Sequence, residues 1–490
     1  MSLRSTVCIL ASFIAYVPLH AADFRGAVIQ TGAEADSIER NVAALLAERI
    51  AEPSGIPARV LSEGGAAPAA GELAILLGIP DHHHAIAAEF DQQRIPRLTG
   101  LAPGPEGFLL RTVPRGKSFV LIAAGIDDRG VLYAAGEILR RMTIRQSSFE
   151  FPDKLTVRTA PAFEVRGTQF NQSSVARTKG KVRPWTERDL RRAILDLALA
   201  GLNTVTVGAG VREDDPAYRV AKEFGLKTLA PYNANAGDGP PEWRASESIG
   251  RPGYLCPSVP AARRALLEQC EEKFRNAAPL DYVRLIGGDG GGCICDRCRP
   301  YGATYIRLCE DLARIVHRYN PKTQIFVTNQ KFDNDDDKAI FEYLREKPRL
   351  WLRAFCYGPG SDAMSWQPGA RQTHRMDLFR YPGFGPPARY PEEIIHELPP
   401  QQDLVYYNEL THWRYAENGY VQVGARPDRN GDTPPHWGDF VYSRYADAAL
   451  TMVYDRLSFF AWPRYYHWFF NQVMRYSIGD VTHSSGTQDH

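Results

Sequence analysis

Two carboxylates and a run of cysteines are the residues of this chain whose types and surroundings could do chemistry. Asp289 stands in "RLIGGDGGGCICDRCRP" (284–300), flanked by glycines and followed by Cys293, Cys295 and Cys298. Glu409 stands in "VYYNELTHW" (405–413). A pair of carboxyl groups on opposite sides of a pocket is the minimum for glycoside hydrolysis: one protonates the leaving oxygen and the other attacks or activates water. A separation of roughly 5 Å gives retention and roughly 6.5–9.5 Å inversion, which spacing along the chain does not fix. Each acid also has a plainer reading. Asp289 can cap a turn in a glycine-rich loop, and Glu409 can pair with Arg414 on a rim.

The aromatic residues near Glu409 extend the first reading. Tyr407, Trp413 and Trp462 lie in "YYNELTHWRYAENGY" and "FFAWPRYYHWFF". Their faces can stack on the apolar faces of sugar rings, and Asn408 can hydrogen-bond a sugar hydroxyl. The same crowding of rings serves equally well as a large aromatic core.

Cys293, Cys295 and Cys298 read as C-x-C-x2-C, one ligand short of a tetrahedral zinc site, and Cys256 or Cys356 could supply the fourth. A disulfide with a spare thiol is the alternative, natural in an exported protein. Both readings give the triplet a structural role, bracing the loop that carries Asp289. No histidine-rich set with an open position stands nearby, so catalytic zinc is not expected and no cofactor is required. Three successive histidines in "DHHHAIA" (81–87) must point to different sides of any element and read as a solvated loop or helix start.

The elements that position these groups fall into three parts. Residues 1–21 read as a secretory signal: Arg4 precedes an apolar run over 7–19 that is too short for a membrane span of roughly 20 residues. Removing Cys8 with it leaves seven of the eight cysteines, an odd number. Residues 22–155 read as a small α+β domain. The helices are "SIERNVAALLAERI" and "DDRGVLYAAGEILRRM", and the buried strands "LAILLGIP" and "SFVLIAAGI".

Residues 160–490 alternate strand and helix, which predicts a (β/α)8 TIM barrel, an α/β fold. The expected strands are "FEVRGTQF", "NTVTVGAG", "KTLAPYN", "YVRLIGGD", "QIFVTNQ", "LWLRAFCYG", "DLVYYNEL" and "RLSFFAWPRYYH". A closing helix is expected to begin in "WFFNQVMRYSI", followed by a short polar tail. Active sites of such barrels lie at the C-terminal ends of the strands, where this count puts Asp289 and Glu409.

"GIDDRGVLYAAGEILR" followed by "TVRTAPAFEVRGTQF" resembles the junction of family 20 glycoside hydrolases, the β-N-acetylhexosaminidases, where a small domain leads into a barrel. The α-glucuronidases of family 67 have a similar N-terminal domain. The resemblance spans roughly residues 23 to 330. It implies that Arg166 holds sugar hydroxyls in the pocket. It also makes "GGD" (287–289) similar to the Gly-Gly-Asp-Glu motif, in which the Asp orients an acetamido group and the next Glu is the general acid. Here Gly290 stands in the place of that acid. The implied chemistry then needs a relocated acid, for which Glu409 is the best replacement. The alternative is a barrel that binds carbohydrate without cleaving it.

The expectation is thus an exported, periplasmic or secreted, glycoside hydrolase acting on an oligosaccharide that carries uronic acid or N-acetyl groups. Lys plus Arg number 58 against 57 for Asp plus Glu, so no net field would draw the chain to nucleic acid or an anionic membrane. A neighbouring copy is expected to cover the end of the barrel, making a homo-oligomer.

Overall fold

A computed structural model describes residues 21–116, 118–169, 175–178, 181–246, 253–287, 292–329, 332, 334–357, 395–406, 471 and 474–483. The chain divides into two compact units, residues 1–160 and 161–490.

The first unit contains β1 (Ala21–Phe24), β2 (Gly26–Thr31), α1 (Ser37–Ser54), β3 (Ala58–Ser62), β4 (Glu72–Gly78), α2 (His84–Gln92), β5 (Phe108–Arg115), β6 (Ser118–Gly125), α3 (Asp128–Arg141), β7 (Thr143–Ile144), β8 (Phe149–Pro152) and β9 (Thr156–Thr159). Its main sheet runs β3-β2-β4-β6-β5-β9, with β3, β2, β4 and β6 parallel and the last two strands antiparallel. The apolar runs of β4 and β6 take its centre, because strands covered on both faces need apolar residues in near succession. Ile86 and Phe90 of α2 pack on Leu76, Leu109 and Ile122 of the sheet. Both long helices start at aspartates. Asp36 caps α1 in a reciprocal box with Glu39, and Asp127 caps α3 by accepting from the Gly130 amide.

The histidine run leads into α2, the helix start its sequence suggests, and departs from that reading only in its buried middle residue. His82 pairs with Glu39 at 2.6 Å, and His84 with Glu63 at 3.1 Å. His83 is fully buried between Glu63 and the Gln30 carbonyl. The three rings do diverge: His83 turns inward, while His82 and His84 each meet a carboxylate with part of the ring still in solvent.

The second unit contains β10 (Val165–Gln169), β11 (Val175–Thr178), β12 (Lys181–Pro184), α4 (Glu187–Leu199), β13 (Thr204–Thr206), α5 (Pro216–Glu223), β14 (Lys227–Asn233), α6 (Pro260–Arg275), β15 (Tyr282–Ile286), α7 (Tyr301–Tyr319), β16 (Gln324–Thr328), α8 (Asn334–Glu346), β17 (Leu352–Tyr357), β18 (Asp403–Tyr406) and β19 (Gly479–His483). Eight of these strands, β10-β13-β14-β15-β16-β17-β18-β19, close a barrel in which every neighbouring pair is parallel. The α/β barrel after a smaller N-terminal unit is therefore the architecture.

Side chains fill the barrel interior. Val165, Leu229, Tyr282, Phe326, Ala354, Val405 and Val481 form one buried cluster, and Tyr282 stacks on Phe326 with centroids 4.9 Å apart. Outside, α7 approaches α8 so closely that a Cβ at Gly302 would lie 1.9 Å from the Asp336 carbonyl oxygen.

Two features differ from expectation. The eighth barrel strand is Gly479–His483, inside the segment read as a polar tail, and not the aromatic run 456–467, which lies outside the described residues. "GDVTH" turns only Val481 into the interior cluster, so its short alternation was outweighed by the stronger apolar signal upstream. The pair β11–β12, antiparallel in register Val175 with Pro184, follows the first barrel strand and was not anticipated.

Candidate active site at the barrel mouth

Barrel direction fixes where the sequence candidates emerge. The fourth strand, β15, ends at Ile286, three residues before Asp289, and the seventh, β18, ends at Tyr406, three residues before Glu409. Both connections thus leave the C-terminal end of the barrel, three strands apart in a ring of eight. Asp289, Tyr407, Asn408, Glu409, Trp413 and Trp462 themselves lie outside the described residues.

Arg166 does not reach this mouth. Its Nε donates to the Gly201 carbonyl at 2.6 Å, and its Nη1 donates to the Phe163 carbonyl. Both carbonyls precede barrel strands, so the guanidinium ties the opposite, N-terminal end. The cause is strand register: Val165 belongs to the interior cluster, and its neighbour Arg166 turns the other way.

The interior carries a different arginine, which sequence reasoning passed over. Arg284 of β15 is fully buried and donates across the barrel to Gln169 Oε1 of β10 at 2.6 Å. Cys356, at the end of β17, lies in the same interior beside Arg284 and Thr328. Burial pushes its thiol up to about 11, with both neighbours pulling the other way. The signal was available in the period of two: Tyr282, Arg284 and Ile286 share one face of strand four, so the arginine sits on the interior face with Tyr282.

The polar ends of β15 and β16 are held from outside. The Tyr305 hydroxyl of α7, fully buried, contacts the Leu285 carbonyl at 2.8 Å and the Thr328 carbonyl at 3.0 Å. Its ring packs edge-on against Phe332 at 4.9 Å.

The cysteines assemble beyond strand four. Cys256, preceding α6, joins Cys293, Cys295 and Cys298, and all four sulfurs lie within 4.8 Å of one another. Cys256 Sγ is 3.5 Å from Cys298 Sγ and 3.8 Å from Cys295 Sγ. A disulfide needs about 2.05 Å, so these are thiols and not a bridge. Of the two candidates for a fourth member, Cys256 is present and Cys356 is in the barrel interior. The Ser246 amide donates to Cys293 Sγ at 3.3 Å, and the Ile294 amide returns to the Ser246 carbonyl at 3.0 Å. Thiol donation from Cys256 and then Cys298 holds Cys293 far below the ordinary thiol range, while the same exchange raises Cys298 and takes Cys256 to about 11. Gly292 enters this knot at φ +85°, and a Cβ there would meet the Tyr301 ring at 2.1 Å. At this position the glycine serves backbone shape and packing.

No known family profile matches the chain, and no curated protein matches it. Among solved structures it is similar to a family GH115 4-O-methyl-α-glucuronidase with specificity for decorated arabinogalactans. That match has a TM-score of 0.52 and 13% identity, over 95% of this chain and 55% of the enzyme. The chain has the fold of that glycoside hydrolase. It spans little more than half the enzyme's length. A β-N-acetylhexosaminidase from Bacteroides fragilis is similar at a TM-score of 0.48 and 12% identity, over 95% of this chain and 82% of that one. Among the described residues no helix is long and apolar enough to cross a membrane.

Proposed function

We propose that the chain is an exported glycoside hydrolase that cleaves an oligosaccharide or polysaccharide fragment, with Asp289 and Glu409 as its carboxylate pair. The observation that carries this reading is the closed parallel barrel, whose fourth and seventh strands each hand over to one of these acids three residues past the C-terminal end. That end is where barrels of this kind hold their active sites. The likeness in fold to a glucuronidase is in keeping with a substrate bearing uronic acid, and N-acetyl groups remain the alternative that the Gly-Gly-Asp resemblance implies.

Within this reading Glu409 donates the proton to the leaving oxygen, since Gly290 supplies none. Asp289 orients the substrate or attacks from the other side. Tyr407, Trp413 and Trp462 form the aromatic walls, and Asn408 binds a hydroxyl. The N-terminal 21 residues are the export signal. Gly290 also favours a second reading, a barrel that binds carbohydrate and releases no product.

Purified protein assayed on aryl N-acetylhexosaminides, uronides and neutral hexosides separates the two. Release from one class, reduced about 10²–10⁴-fold in Glu409→Gln with ligand binding kept, is the expected result. Full activity in Glu409→Gln removes that residue from the mechanism. Sugar affinity without release across the panel selects the binding protein.

A further inference from the structure

Four thiols from two separate connections converge beside the loop that follows strand four. We propose that Cys256, Cys293, Cys295 and Cys298 bind one zinc ion in a tetrahedral tetrathiolate site. This site pins the β15–α7 connection to the β14–α6 connection.

The argument begins with distance. Zinc–sulfur bonds of about 2.3 Å at the tetrahedral angle place sulfurs about 3.8 Å apart. The sulfur pairs at 3.5 and 3.8 Å match that edge, and the whole set lies within 4.8 Å. Two disulfides would instead bring the sulfurs together in pairs at about 2.05 Å and leave the pairs apart. Here Cys256 stands near both Cys295 and Cys298, as one corner of a tetrahedron must. Three of the four residues are buried, which closes the centre to solvent.

A backbone donor also faces the cluster. The Ser246 amide donates to Cys293 Sγ at 3.3 Å. Amide donors aimed at sulfur neutralise part of a thiolate's charge and orient it for a metal. Binding releases the thiol protons and leaves a centre of charge −2, and Arg297 and Arg299 bracket Cys298 in the chain. All-sulfur tetrahedral sets select zinc or iron, and with four protein ligands no position stays open for substrate, so the role is structural. Asp289 lies four residues before Cys293, so the metal fixes one end of its loop. The site rests on sulfur geometry alone and stands whether or not the barrel cleaves sugars.

The test is metal content of the full chain, purified without chelator, by plasma mass spectrometry. Alongside it, thiols are counted after denaturation in chelator, and the reduced apoprotein is titrated with cobalt. The expected result is about one zinc per chain, seven titratable thiols in the mature chain (eight with Cys8), and the intense visible bands of tetrahedral cobalt thiolate. Cys256→Ser weakens zinc binding by more than the roughly 10–100-fold that loss of an outer hydrogen-bond partner costs, whereas Cys356→Ser keeps the zinc. Cobalt binding to the wild-type chain decides the matter if Cys256→Ser does not fold. The proposal is overturned if the chain carries no metal and gives no cobalt bands. It is equally overturned by four missing thiols, which would mark disulfides, or by stoichiometric iron in place of zinc.

Discussion

Removing the Tyr305 hydroxyl tests how the mouth of the barrel is held. The hydroxyl is fully buried and has one proton to give, yet it lies 2.8 Å from the Leu285 carbonyl and 3.0 Å from the Thr328 carbonyl. It therefore joins the C-terminal ends of strands four and five through one shared donor. Tyr305→Phe keeps the ring contacts with Phe332 and Tyr301 but leaves both carbonyls without that proton. A buried acceptor stripped of its donor costs about 1–3 kcal/mol. The bond is shared, and the phenyl ring fills nearly the same volume, so the lower half of that range applies. Burial holds the phenol well above its ordinary pKa, so the loss should be the same at pH 6 and pH 9. Urea unfolding is the assay: the midpoint falls while the slope stays constant. If the proposed hydrolase reading holds, turnover should fall further than stability alone explains, because Leu285 lies only four residues before Asp289. A stability loss below about 0.5 kcal/mol, inside the range of ordinary surface substitutions, would refute the claim that this hydroxyl holds the two strands.

Other perturbations follow from the same geometry. Gly292→Ala adds a Cβ at φ +85°, 2.1 Å from the Tyr301 ring, and should destabilise the barrel unit by at least about 1–3 kcal/mol, read as a lower thermal midpoint. Asp128 is raised to about 6 by burial first and then by Asp36, Glu39 and Asp127. The folded chain thus favours its protonated form, and stability contributed by that proton is lost as pH rises from about 4 to about 6. Asp128→Asn, which mimics the protonated acid, should raise the melting temperature at pH 7 and change it little at pH 4; an equal gain at both would refute the assignment. Glu63 runs the opposite way. Its burial opposes ionisation, but the Ala85 and His84 amides and the His83 and His84 rings bring its pKa down to about 2. Glu63→Gln should therefore cost stability at pH 7, and that cost should shrink as acid protonates the wild-type carboxylate. A melting-temperature difference that stays constant from pH 7 down to pH 3 would count against it.

Much of the scaffold was legible because its signals are local. Apolar runs ending in glycine or proline marked β4 and β6, the apolar period marked α1, an aspartate marked the start of α3, and the alternation of strand and helix marked seven of the eight barrel strands. Two errors share one cause: which way a side chain turns depends on register, and register is set by distant strands. Arg166 looked like a substrate anchor by resemblance, but Val165 takes the interior position and sends the guanidinium to the Phe163 and Gly201 carbonyls. The closing strand was missed because a four- or five-residue polar alternation carries little information by itself. Its place is fixed by pairing with β18 on one side and β10 on the other.

The cysteines show the converse, a spacing that pointed to the right chemistry without completing it. C-x-C-x2-C offered three sulfurs and named two residues for the fourth. Only the fold could choose, since Cys256 and Cys356 both belong to connections or strands that end on the same side of the barrel. Cys356 falls at the end of a strand, on its interior face, and packs beside Arg284. Cys256 falls just before α6, where the Trp243 carbonyl holds its amide and turns its sulfur toward Cys298. The two thiols should therefore behave differently in solution. Cys356 is walled in beneath the mouth and should react slowly with an alkylating reagent at any metal occupancy. Cys295, the most exposed member of the four, should react rapidly only after the metal is removed. Equal reactivity of Cys295 before and after chelation, mapped by peptide mass, would mean that its sulfur is not bound.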